Sequence, residues 1–117
     1  DHDSRLLLAR YRLAELLLDQ KQNEEAFNVG DVGVRILGLS DLALSESEHN
    51  ALTFMLYTTR ARAYWQLGGD SNFNLALNDL QVALEYRTAV DYTAEAYYIE
   101  AHIDEARQDQ EQHKQRG

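Results

Sequence analysis

With no cysteine in the chain, thiolate metal sites and cysteine nucleophiles are excluded, and histidine–carboxylate groupings are the candidates for chemistry. The segment Glu46-Ser47-Glu48-His49 contains a Glu-x-x-His spacing, which sets both side chains on one face of a helix. Di-iron helical bundles use such pairs, but they need two of them and further glutamates. Only one is present, and it falls at an expected helix start, where Ser45 and Glu48 have the spacing of a capping box. A capping and surface role is therefore expected for it. Asp1-His2-Asp3 has ligand-type side chains at a terminus expected to fray. His102 and His113 lack a ligand-spaced partner on their own helix. No phosphate loop, dinucleotide fingerprint or nucleophile elbow occurs. The expectation is a non-catalytic protein without metal or cofactor.

The elements that would position any site are helices, because apolar residues recur at helical intervals almost throughout. A first helix is expected over 3–20, with Leu6, Leu13, Ala14 and Leu17 on one face, ended by the polar turn Gln20-Lys21-Gln22-Asn23. A second runs to about Leu39 with the stripe Ala26, Val29, Gly30, Gly33, Val34, Leu37. Two glycines on one face, each unfavourable by ~1 kcal/mol relative to alanine, suggest close approach of a neighbouring helix. Residues 40–47 read as a loop, and a third helix runs from Glu46 to Leu67. Its apolar residues go nearly all round, including Leu52, Phe54, Leu56, Ala61, Ala63 and Tyr64, which places it at the centre. Gly68-Gly69 supplies a left-handed exit, with Asp70 or Ser71 as candidate caps. The fourth helix covers 71–87 with the stripe Phe73, Ala76, Leu77, Leu80, Ala83, Leu84. A fifth covers 91–113, starting aromatic and ending polar, as an end cap does.

Composition bounds the class. A length of 117 residues and 44% hydrophobic content fit one folded domain with a modest core. The absence of proline leaves long helices uninterrupted. A net charge of −9 disfavours phosphate backbones and anionic membranes as partners. No apolar run approaches the ~20 residues of a membrane span. The lack of cysteine fits a reducing compartment, so a cytoplasmic setting is expected, with a periplasmic one as the alternative. A first residue of Asp1 rather than methionine, without a signal-peptide pattern, suggests a fragment of a longer chain.

The spacing of small and aromatic residues resembles the tetratricopeptide repeat, a helix-turn-helix unit of about 34 residues. The central hairpin carries the likeness in Tyr57, Ala61, Tyr64, Ala76, Leu80 and Ala83, and the first in Leu13, Ala14, Leu17, Ala26, Gly30 and Gly33. Tyr97 and Ala101 would occupy the aromatic and small positions of a final half repeat. The chain departs from the family in lacking the closing proline and in a 50-residue interval from Ala26 to Ala76. The resemblance implies an all-α fold of antiparallel hairpins (3–39 and 46–87) with a capping helix (91–113), stacked as a short right-handed solenoid. It also implies a concave groove lined by the first helix of each unit. Groove candidates are Tyr11, Arg12 and Glu15 from the first helix, Met55, Thr58, Thr59, Arg62 and Trp65 from the third, and Tyr98, Ile99 and His102 from the fifth. Trp65 also has a core reading, against Phe54 and Ala61. Tyr11 and Glu15 stand where one branch of the family carries its carboxylate-gripping lysines and asparagines, so that clamp is not expected.

Two functions remain open at this level. The first is an interaction module that binds a peptide or helical segment of a protein partner in the groove. The second is a structural module for homo-oligomerisation, or for organising domains of a larger protein, motivated by the incomplete last repeat.

Overall fold

The structure, a computed structural model, describes residues 2–39, 41–86, 103, 107, 108 and 110. Residues 2–86 form four helices: α1 (His2–Asp19), α2 (Asn23–Leu37), α3 (Glu46–Leu67) and α4 (Asp70–Glu85). No strand occurs among the described residues. Of the expected fifth helix, Ile103, Arg107, Gln108 and Gln110 are described; all four are helical and Ile103 is fully buried. The remainder of 87–117 lies outside the described residues, as do Asp1 and Ser40.

α1 closes with paired hydrogen bonds, Gln22 N–H to Leu17 O (2.9 Å) and Lys21 N–H to Leu18 O (3.0 Å), the Schellman pattern. Lys21 takes the left-handed position of that motif at φ 63°, where glycine is usual. The tight turn folds α2 back along α1. Leu18 meets Ala26 near the turn, while Leu7 joins Val34 and Leu37 at the far end, so the pair is antiparallel.

α2 and α3 also run antiparallel. Ala26 packs with Ala63, Gly30 faces the backbone of Arg60, and Gly33 faces Leu56. A Cβ at Gly33 would lie 2.9 Å from Leu56 Cδ2, so the expected close approach at the glycine face is present and is tightest there. Gly68 and Gly69, at φ 81° and 95°, reverse the chain into α4. Phe73, Ala76, Leu80 and Ala83 of α4 then join Phe54 and Ala61 of α3. α3 touches all three other helices, and its buried residues lie on several sides, as its apolar pattern predicts.

Several expectations are corrected. Leu6 and Leu13 are half exposed; Ala14 is buried as expected, but with Leu7 and Leu18 rather than with those two. With leucine at 6, 7, 8, 13, 16, 17 and 18, more than one apolar face is available, and neighbours decide which is used. α2 ends at Leu37 rather than Leu39. Neither Asp70 nor Ser71 caps α4: Gly69 holds the cap position without a side-chain bond, and Asp70 is already helical.

Candidate interaction surface

Because α1 and α3 each pair antiparallel with α2, they lie parallel to one another and form one two-helix surface. Their contact combines apolar packing, of Leu7 with Leu52 and Leu56 and of Leu18 with Ala63, with a polar group centred on Arg62. Its Nη1 donates to Glu15 Oε2 (2.7 Å) and its Nη2 to Asp19 Oδ1 (2.8 Å). The other Glu15 oxygen accepts from Thr59 Oγ1 at 2.6 Å. With the Gln66 amide in the orientation that satisfies both of its ends, Gln66 accepts from Arg62 Nε (3.2 Å) and donates to Asn23 Oδ1 (2.7 Å). Burial opposes the Arg62 charge, but Asp19 and Glu15 outweigh it and hold the guanidinium more firmly protonated than usual. Arg62 and Glu15 thus serve first to hold α1 to α3. Arg62, expected on the groove, has partners within the chain at all three of its nitrogens.

The other sequence candidates separate. Arg12 is exposed and makes no ion pair with a described residue. Tyr11 is half-buried against the Leu7–Val34–Leu56 cluster. Met55 and Trp65 are half-buried against the cluster that contains Phe54 and Ala61, so Trp65 has both core contact and an exposed part. Thr58 and Thr59 are corrected to interior positions, at 2% and 1% exposed. Among the described residues, Thr58 Oγ1 is the buried side-chain atom without a hydrogen-bond partner. Tyr98, Ile99 and His102 lie outside the described residues.

Sequence reasoning missed a second arginine cluster. Arg60 Nε and Nη2 each donate to Asp79 at 2.7 Å, and Nη1 donates to Asp31 at 3.0 Å. The guanidinium lies 5.2 Å from the Tyr57 ring centre and 5.9 Å from that of Tyr64. Arg35 takes the second oxygen of Asp31. The Asp79 bonds raise the Arg60 pKa, while burial lifts the Asp79 carboxyl above its ordinary range against the pull of Arg60. The signal was legible: Asp79 interrupts the buried stripe of α4, and a carboxylate there needs a cation.

The capping box at α3 is formed. Ser45 Oγ accepts from Glu48 N–H (3.1 Å), and Ser45 N–H donates to Glu48 Oε1 (3.0 Å). Those Ser45 bonds hold the Glu48 carboxyl below its ordinary range. His49 lies edge-on to Tyr86, with ring centres 6.4 Å apart, and its carbonyl accepts from Thr53 Oγ1. Asp3 accepts from Ala43 N–H at 2.9 Å. Among the described residues no cluster of three or more histidine and carboxylate side chains has the arrangement of a metal site. No described helix is long and apolar enough to cross a membrane. Searches with this chain found no matching protein-family model, no matching curated protein and no matching solved structure.

Proposed function

We propose that this chain is a non-catalytic protein-interaction module built on the tetratricopeptide plan, in which α1 and α3 line a groove for a peptide or helical segment of a protein partner. The observation that supports this reading most is the parallel placement of α1 and α3, fixed by Arg62 across Glu15 and Asp19. Parallel first helices, each backed by its own antiparallel partner, are what stacked hairpins present as a binding surface. The small residues that carry the resemblance support it too: Ala14, Ala26, Ala61, Ala76 and Ala83 are all buried at helix contacts. The side chains proposed to meet the partner are Arg12, with Tyr11, Met55 and Trp65 supplying apolar area.

The test is selection of peptides from a random display library, followed by amide and indole chemical-shift mapping on the chain. Trp65 is the single tryptophan, so its indole signal is unambiguous. Shifts clustered at Tyr11, Arg12, Met55 and Trp65 are expected. Shifts confined to the outer faces of α2 and α4, or no recoverable peptide, would overturn the groove. Arg62→Ala is a poor probe here, because it removes the bridge between the two helices that form the surface.

A further inference from the structure

α1 is apolar on two opposite faces, and the fold buries one of them. Leu7, Ala14 and Leu18 face inward. Leu6, Ala9, Leu13 and Leu16 face out, with the three leucines 47%, 47% and 53% exposed. Their three-four-three spacing is the interval of a coiled-coil seam. At 100° per residue, Arg5 and Arg12 border one side of this seam and Arg10 the other. None of these three arginines makes an ion pair with a described residue. The carboxylates of the same helix are engaged elsewhere: Glu15 and Asp19 with Arg62, and Asp3 with Ala43 N–H. A chain of net charge −9 therefore presents one leucine seam with cationic borders on both sides.

We propose that this outward face of α1 docks an amphipathic helix of a protein partner, with leucines at heptad spacing flanked by aspartate or glutamate. Charge selects that occupant. Two copies of α1 packed seam to seam, in either direction, would set arginine borders against arginine borders, which is repulsive. An acidic helix reverses the sign at each border and seats its leucines between Leu6, Leu13 and Leu16. The seam shares Arg12 with the proposed groove but not Tyr11, Met55 or Trp65, so Leu13→Glu reports on the seam and shifts at Tyr11, Met55 and Trp65 report on the groove.

The experiment uses the whole chain and a labelled designed peptide of about three heptads, with leucine at a and d and glutamate at e and g. The comparison peptide carries lysine at e and g. Fluorescence anisotropy at low salt should show the acidic peptide binding at least about tenfold tighter than the lysine peptide. Leu13→Glu should abolish that binding while circular dichroism remains unchanged. The double variant Arg5→Glu/Arg12→Glu should reverse the preference. Equal binding of the two peptides, or binding of neither, would overturn the proposal. A dimer in sedimentation equilibrium that Leu13→Glu dissolves would reassign the face to a second copy. Binding to phosphatidylserine vesicles that Leu13→Glu abolishes would reassign it to a membrane surface. Either result also overturns it.

Discussion

Arg60 and Arg62 stand two positions apart on α3 and serve different interfaces. Arg60 ties α3 to α2 and α4, while Arg62 ties it to α1. Nothing in their local sequence distinguishes them; the helical turn between them does. Their energetic roles differ through their partners' burial. Asp79 is 5% exposed, so losing Arg60 strands a buried carboxylate. Arg60→Met is expected to destabilise by ~3 kcal/mol in urea unfolding, and Asp79→Leu added to it should restore most of the loss, as apolar replacement of a buried pair does. Failure of the second substitution to rescue would show that the tyrosine contacts of Arg60 dominate instead. Asp19 is largely exposed, so its bond to Arg62 is weakened by solvent.

Among the elements, α3 has a side-chain capping box at its N-terminus, whereas the N-caps of α2 and α4 make no side-chain capping bond. Glu48 is partly exposed, and its carboxyl is held below the ordinary 4.5 by bonds that exist only when folded. The unfolded chain therefore binds more protons than the folded one in this range, and stability rises with pH there. The contribution is present above the ordinary glutamate value and is lost as pH falls through the lowered folded-state value. Acid titration of the unfolding midpoint should be flatter in Glu48→Gln than in the parent over that interval. An unchanged slope would remove Glu48 as the source. The box was legible in the sequence because it depends on residues three apart. The cap of α4 was not: glycine, aspartate and serine in succession offer three candidates, and the positive φ of Gly68 and Gly69 fixes where the helix begins.

For the whole molecule, two contacts join one hairpin to the next, α2 on α3 and α1 on α3, and the first is the more extensive. Gly30 and Gly33 lie on the first contact at different tightness. A Cβ at Gly30 would meet Arg60 Cα at 4.0 Å, ordinary contact, whereas one at Gly33 presses on the buried Leu56. Gly30→Ala is expected to stabilise by up to ~1 kcal/mol through helix propensity. Gly33→Ala should be clearly less stable than Gly30→Ala, because Leu56 is fully enclosed and must move. Equal melting temperatures for the two variants would show that the hairpins do not stack as described.

Local sequence specifies the four described helices, their order and most of their buried stripes, because helical periodicity and turn chemistry are local. Of the expected stripes, Ala26, Gly30, Gly33, Val34 and Leu37 and Phe73, Ala76, Leu80 and Ala83 are buried, while Val29, Leu77 and Leu84 are half-buried. It also marked α3 as central, since a helix apolar on several sides needs several neighbours. Tertiary structure alone decided which face of leucine-rich α1 is buried, and that choice leaves Leu6, Leu13 and Leu16 outside. It alone brought Arg62 to Glu15 and Asp19, and sent Thr58 and Thr59 inward. The physical reason is the same in each case. Periodicity shows which faces of a helix are apolar, but the partner of a side chain forty residues away depends on how the helices are brought together.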